Sequence, residues 1–475
     1  MADFDSSHVY KAAVIGSGSG GLTAAIGLAG FDHDVVLVEG DRVGGDCTNV
    51  GCIPSKALLH AAEAGLDDPL AWTRSRRDQL HDEEDHEMVE HEQIVFLRGW
   101  GRLTPPDHDR GHHVVAVTAA DGAEHEVRAE HVIISTGSSP VRVDIAGLPE
   151  ERLVTNEELF DRVDEVPGRL VLVGGGAISL EMATAFNDLG AAVAIVELSD
   201  RVLPDQDPEV SATITEALTT RGVDIHTGVS AQSFDAATDT LRLSSGDEIS
   251  DVDLVMSAVG RRPRIEQLGL DDAGVSHGRA GIGVDSWGRT DVDHIWAIGD
   301  VTGMTHTTHG ANAIGRRTVR AIALPRVLAT GQPRTMPAAI YTRPQVASVG
   351  LSVSEVEAIP PSSRWRHRVE LADLDRGHTD DIEHGVVIVD AERFTGRIFR
   401  ASIVGPHAAD WIGIFTLAID HGIGLRKIFG MVHPYPAHAE AVGRIADQFA
   451  RDTYPNLAGA WWQMARGRLS RRRVP

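Results

Sequence analysis

Cysteine is almost absent from this sequence: there are two among 475 residues, at positions 47 and 52. So sparse a thiol content excludes a disulfide-stapled secreted scaffold. A zinc site would need two further ligands at suitable spacing, and no second cysteine pair supplies them. Positive charge is also scarce. Lysine and arginine total 44 against 69 acidic residues, a formal net charge of −25. Such a surface repels phosphate backbones and anionic lipid, so neither nucleic acid nor a membrane is an expected partner. The basic stretch "RGRLSRRRVP" at the C-terminus is too short to reverse that balance and reads as solvated. No apolar run approaches the roughly 18 residues that a membrane span needs. The opening "MADFDSSHVY" is acidic and polar, unlike a secretory signal. The expected location is the cytoplasm, where disulfides are usually transient and catalytic.

Glycine, by contrast, is plentiful at 49 residues, and much of it is patterned. In "YKAAVIGSGSGGLTAAIGLAGFDHDVVLVEGD" an apolar strand (Ala12 to Ile15) runs into Gly16, Gly18 and Gly21. A small-residue helix and a second strand ending at Glu39 follow. This is the context a dinucleotide-binding turn requires. The first glycine makes the tight turn, the second lets the backbone approach a pyrophosphate, and the third allows close packing of the helix. The acid accepts from a ribose hydroxyl. The pattern recurs in "RLVLVGGGAISLEMATAFNDLGAAVAIVELSD", with Gly174, Gly176 and Glu197, and with Ser179 where a third glycine would stand. In both copies the acid lies 23 positions past the first glycine (39 − 16 and 197 − 174). Two copies predict two bound dinucleotides. Glu197 favours a free 2′-hydroxyl, hence NADH, while nearby Arg201 keeps NADPH open. Downstream, "TDVDHIWAIGD" carries another strand ending in Gly-Asp, which by itself is compatible with a plain strand and turn.

The two cysteines sit in "GGDCTNVGCIPSK", just before a helix predicted by Pro54 and "SKALLHAAEAG". Both thiols lie at or before a helix N-terminus, where the dipole favours thiolate, and Lys56 adds positive charge. A thiolate attacks disulfides, soft metals and flavins. A structural disulfide or two inert buried thiols are the competing readings. A reducible pair beside two dinucleotide sites suggests electron flow from a nicotinamide through a second cofactor to the sulfurs, and that chemistry makes FAD the natural occupant of the first site.

These residues resemble the class I pyridine nucleotide–disulfide oxidoreductases: dihydrolipoamide dehydrogenase, glutathione reductase, mercuric reductase and relatives. The likeness runs from about Tyr10 to about Arg451. "GGDCTNVGCIPSK" is similar to the family's redox-disulfide motif, "ISTGSSP" (with Thr136 and Gly137) to its threonine–glycine crossover motif, and "AIGD" to its second FAD motif. "YTRPQVASVG" looks like the start of its interface domain. The resemblance implies an α/β fold of two Rossmann-like dinucleotide-binding domains, for FAD and NAD(P), plus an α+β C-terminal dimerisation domain. The expected boundaries are 8–150 for the first part of the FAD domain, 151–275 for the NAD(P) domain, 276–335 for the second FAD part and 336–475 for the interface domain. It also implies an obligate homodimer whose sites are completed across the interface, and a small-molecule acceptor. Cys47 becomes the interchange thiol and Cys52 the charge-transfer thiol. Asp300 is placed on the flavin ribitol, and Lys56 is paired with Glu181.

One departure matters. The family usually shows His-x-His-Pro-Thr-x-x-Glu near the C-terminus, with the second histidine as acid–base partner of the interchange thiol. Here the stretch is "HPYPAHAE", so Tyr435 occupies the histidine position, while Pro436 and Glu440 are kept. A histidine near pKa ~6.5 exchanges protons at neutral pH, whereas a tyrosine near ~10 stays protonated. Deprotonating a dithiol becomes hard. Reducing a soft metal ion, a quinone or a small electrophile needs less proton relay, as in mercuric-reductase-like members. His433 or His438 is available as a substitute base, or packs inertly. The charged run Arg74 to Gln93 reads as a solvated helix whose histidines are at most loose metal ligands.

Overall fold

A computed structural model of the chain describes residues 4–453, except 92, 106–110, 305, 326 and 329–334. The basic C-terminal stretch lies outside the described residues. Three sheets organise the rest. In the first, Val9–Ile15 pairs in parallel with Val35–Glu39 on one side and Glu124–Ile134 on the other. Ile94–Leu103 and Ile295–Ala297 extend the parallel set. His113–Ala119 closes the far ends of two of these strands in antiparallel fashion. Strands Val9–Ile15 and Val35–Glu39 are rich in valine and alanine because both their faces are packed, one against helices Ser19–Ala29 and Thr308–Ala323 and the other against residues 268–282, which leaves little room for polar alternation.

The second sheet repeats the plan. Its parallel order is Asp224–Thr227, Ala192–Glu197, Arg169–Val173, Leu254–Ser257 and Leu153–Val154. The chain enters and leaves it through a two-stranded ribbon, Ser138–Pro140 against Arg261–Pro263. Beyond that ribbon, Leu268, Leu270, Ala273 and Val275 pack in the core of the first sheet. Ile145, Val143 and Leu148 already pack with the second. The packing therefore changes from one sheet to the other at the ribbon, where the two connections run side by side.

The third sheet is antiparallel throughout: Ala338–Ile340, Gln345–Gly350, Ile398–Gly405, Val386–Glu392 and Arg364–Glu370. One face buries Phe415 of helix Ala408–Asp420 and Phe449 of helix Glu440–Thr453. The other contributes Ile340, Val346, Val386 and Val404 to the core around helix Ala177–Asp188.

Two helix pairings place the site. Helix Ser19–Ala29 is built of small residues because helix Thr308–Ala323 lies against it. A Cβ on Gly27 would stand 2.9 Å from Val319, and one on Gly315 would stand 3.2 Å from the Gly20 carbonyl. Helix Cys52–Ala64 packs through Leu58 and Leu59 into the core that holds helix Ala177–Asp188. Helix Pro69–Glu90 exists as expected, but it is not simply solvated. Leu70, Thr73, Arg77 and Met88 are buried, and the Arg77 guanidinium reaches Asp161 at 2.6 Å. Among the described residues no helix is long and apolar enough to cross a membrane. No group of three or more His, Cys, Asp or Glu there is placed to hold a metal ion.

Candidate active site

One continuous cavity of about 1670 Å³ joins the first and second glycine turns to the cysteine pair. Gly16, Gly18, Glu39, Cys47, Cys52, Lys56, Thr136, Gly137, Gly176, Glu181 and Asp300 all line it. The glycines divide their roles by geometry. Gly16 has φ +99°, and a Cβ there would lie 2.4 Å from the Ser135 carbonyl oxygen. Gly21 sits where a Cβ would strike the Gly16 carbonyl. Gly18, Gly137 and Gly176 are different: an added Cβ would meet nothing within 4 Å, so each presents bare backbone to the cavity. Gly18 also begins helix Ser19–Ala29 without a side-chain cap, which leaves its first N–H groups for an anion.

Glu39 accepts from the Ser17 amide and hydroxyl, both at 2.7 Å, and from the Asp41 amide at 2.8 Å. Glu197 does the equivalent in the second turn, accepting from the Gly175 amide and from the Ser199 amide at 2.6 Å. Each acid braces its own turn. Gly174, at φ +111°, and Glu197 lie behind the second turn and do not line the cavity.

At the cavity's centre the Thr308 hydroxyl donates to Cys47 Sγ at 3.2 Å and lies 3.5 Å from Cys52 Sγ. The two thiols are strongly unequal. A hydrogen bond from Cys47 lowers Cys52 to about 6. Burial opposes this, while the Thr308 hydroxyl and the Lys56 charge assist. Cys47 is pushed up by the same pairing and by its burial. The pairing thus favours the thiolate at Cys52 and the proton at Cys47. Lys56 Nζ meets Glu181 Oε2 at 2.7 Å and lies 4.6 Å from the Tyr341 ring centroid, and the Tyr341 amide donates to Glu181 Oε1 at 2.9 Å. Asp300 accepts from Ser138 Oγ at 2.7 Å. Burial pushes its carboxyl up, but His306 and Ser138 outweigh it and hold the pKa below the usual range.

The C-terminal group stands apart. Tyr435 is 72% exposed and its hydroxyl donates to Asp375 at 2.5 Å, a bond that raises its pKa further. His438 Nε2 lies 3.1 Å from Asp380, and Glu440 Oε1 lies 3.3 Å from Arg444. His433 Nε2, His438 Nδ1 and Glu440 Oε2 are buried atoms with no hydrogen-bond partner among the described residues. None of these four residues lines the cavity.

Residues 10–323 match the family model described as pyridine nucleotide-disulphide oxidoreductase, and residues 336–446 match its dimerisation domain. The chain belongs to the pyridine nucleotide-disulphide oxidoreductase family. It is 32% identical to dihydrolipoyl dehydrogenase 3 of Haloarcula marismortui over 475 residues, covering 92% of this chain and 96% of that one. It is 34% identical to dihydrolipoyl dehydrogenase of Chlorobaculum parvum, covering 93% and 97%. Among solved structures, the Cu(II) complex of the HOCl-induced flavoprotein disulfide reductase RclA from Escherichia coli superposes with a TM-score of 0.84 at 24% identity, over 93% of this chain and 99% of that one. LpdA from Mycobacterium tuberculosis gives 0.82 at 24%, over the same shares. At that identity these two speak for the fold.

This family member is an NAD(P)H-dependent flavoprotein oxidoreductase and a homodimer, with FAD and a pyridine nucleotide as cofactors. Its residues fit FAD. Bare backbone at Gly18 and Gly137, an uncapped helix start and the Asp300 carboxylate line one side of the cavity that reaches the sulfurs. Sequence reasoning missed Thr308, Asp46, Arg261 and Arg264, which all belong to this cavity or its wall. The available signal for Thr308 was the Thr-Thr pair opening a helix eight residues past Asp300.

Proposed function

We propose that this flavoenzyme passes electrons from NADH through the Cys47–Cys52 pair to a small soft acceptor: a metal ion, a quinone-like molecule or a small disulfide. What supports this reading above all is the single cavity that both glycine turns and both sulfurs share, with one sulfur held as thiolate. Bound FAD supplies the two-electron relay between nicotinamide and disulfide. The chain's residues do the rest. Thr308 and Lys56 hold the Cys52 thiolate, Glu181 fixes Lys56, and Cys47 keeps the proton.

Proton transfer decides the substrate class. A dithiol substrate needs a base at neutral pH, and Tyr435, bound to Asp375 with its pKa raised, stays protonated. A soft cation needs none, because it acidifies the thiol it binds. NADH is favoured because Glu197 places negative charge at the second turn and Arg201, the nearby cation, donates to the Pro204 carbonyl at 2.8 Å with Asp200 3.4 Å away. We place the enzyme in the cytoplasm, where a nicotinamide-fed thiol pair cycles.

The names of the relatives favour a second reading, dihydrolipoamide dehydrogenase. An acceptor screen on the purified yellow protein, with NADH and NADPH compared and with dihydrolipoamide oxidation by NAD+ run beside it, separates the two. Rapid dihydrolipoamide oxidation near neutral pH overturns the reading of Tyr435. Cys47→Ser is expected to abolish acceptor reduction while flavin reduction by NADH persists. Loss of both overturns the assignment of Cys47. A redox sensor with little turnover is the remote third case, and slow flavin reduction by NADH would mark it.

A further inference from the structure

The loop carrying the two sulfurs is gripped at both ends by one arginine. Arg261 Nη2 pairs with the carboxylate of Asp46, the residue before Cys47. Arg261 Nη1 donates to Asn156 Oδ1 at 3.2 Å, and Asn156 Nδ2 donates at 3.2 Å to the carbonyl of Val50, two residues before Cys52. The same guanidinium donates to the Ser138 hydroxyl at 2.8 Å and the Ser138 carbonyl at 2.7 Å. Arg264 repeats the motif more loosely, reaching Asp46 at 3.4 Å, Glu157 at 2.6 Å and Ser139 Oγ at 2.7 Å. Ser138 and Arg261 are opposite strands of the ribbon through which the inserted domain joins. Asn156 and Glu157 open that domain's first helix, Asn156–Arg162.

Three segments remote in sequence therefore meet on one planar fork. The Arg261 side chain is only 15% exposed, so these bonds are shielded from water. A guanidinium holds several acceptors in fixed directions, which a lysine ammonium does not. We propose that Arg261 and Asp46 are positioning residues, whose ion pair holds the Cys47–Cys52 loop in register with the ribbon and so with both dinucleotide turns. This rests on the reading of Cys47–Cys52 as the redox pair.

The sign of one measurement separates positioning from mere charge. Asp46 is an anion beside the thiols, so neutralising it through charge alone would lower the Cys52 pKa. Releasing the loop instead draws Cys52 away from the Cys47 thiol and the Thr308 hydroxyl and raises it. The groups facing Cys52 are Cys47, Thr308, Lys56 and Glu181, and every variant retains them. The test is the pH dependence of iodoacetamide alkylation of the reduced holoenzyme, with the modified cysteine located by mass spectrometry. Asp46→Asn and Arg261→Lys are each expected to shift the Cys52 midpoint up by about one unit, seen as about tenfold slower alkylation near pH ~5. The double variant should shift it no further, as expected of one shared interaction. Asn156→Ala leaves both charges in place and should shift it the same way by less. A midpoint that falls or stays in Asp46→Asn, or an Arg261→Lys profile matching wild type, overturns the proposal. If those two variants fail to fold, an Asn156→Ala midpoint equal to wild type overturns it. A wild type with no acidic thiol sinks the redox-pair reading itself, whereas an acidic thiol indifferent to the variants sinks the positioning role alone.

Discussion

Thr308 touches both sulfurs from more than 250 positions away in the chain. Its hydroxyl is one of the few neutral groups that help hold Cys52 as a thiolate at about 6. Hydrogen bonds to charged groups are worth roughly 1.5–3 kcal/mol, and this one is shared between two sulfurs. Thr308→Val should therefore raise the Cys52 pKa by about one unit, read from the thiolate absorbance of the reduced protein against pH. An unmoved titration would show that Lys56 and Cys47 suffice. Residues of this kind explain what was legible. Gly16 could be read from sequence because φ +99° and a carbonyl 2.4 Å away admit no side chain. Cys47 and Cys52 could be read because no other residue does thiol chemistry. Thr308 and Arg261 act through contacts that only the folded chain creates, and many residue types tolerate their local backbone.

Elements show the same division. The strand–turn–helix–strand units were visible because their apolar runs and glycines obey local rules, and the structure builds both as parallel units. Helix Pro69–Glu90 was visible as a helix but not as a packed one, since its inward contacts are largely polar. Arg77, 5% exposed, bonds Asp161 at 2.6 Å, and Glu84 accepts from Thr48, the residue after Cys47, at 2.9 Å. Burial pushes the Glu84 carboxyl up. Arg77→Ala should lower unfolding stability by about 1–2 kcal/mol, measured in urea, because it removes a buried side chain and its charge-assisted bond to Asp161. Strand Glu124–Ile134 carries another polar element invisible to periodicity. Burial, assisted by the charges of His294 and Lys11, lowers His131 to about 4, and its Nδ1 accepts from Trp296 Nε1 at 3.3 Å. The folded state keeps His131 neutral while the unfolded chain protonates it below its ordinary 6.5. Its stabilisation is complete above about pH 6.5 and is lost as pH falls towards 4, on the order of 3 kcal/mol. Melting temperatures across that range should fall less steeply in His131→Gln, whose amide oxygen still accepts from Trp296. Parallel curves would show that other groups govern acid unfolding.

The whole molecule is where one chain stops being enough. Its cavity holds both cysteines yet none of Tyr435, His433, His438 or Glu440. Those residues sit on a domain that exposes Leu417, Phe429, Met431 and, at 90%, Val432, as befits the dimerisation domain of a homodimer. Arranged about a two-fold axis, such a patch meets its own copy, so each C-terminal segment faces the partner's sulfurs if the site is shared. Tyr435→His makes this visible, because it restores a group titrating near neutral pH. The homodimeric variant should oxidise dihydrolipoamide about 100-fold faster, within the usual range for a positioned general base. Its rate should also rise with pH as the imidazole deprotonates. The decisive form pairs a wild-type protomer with one carrying both Cys47→Ser and Tyr435→His, isolated through two different tags. Each such dimer has one intact sulfur pair, on the wild-type protomer, and one introduced histidine, on the other. If the site spans the interface, these meet, and the mixed dimer shows about half the gain of the Tyr435→His homodimer. If the site closes within a single chain, no protomer has both and the gain is absent.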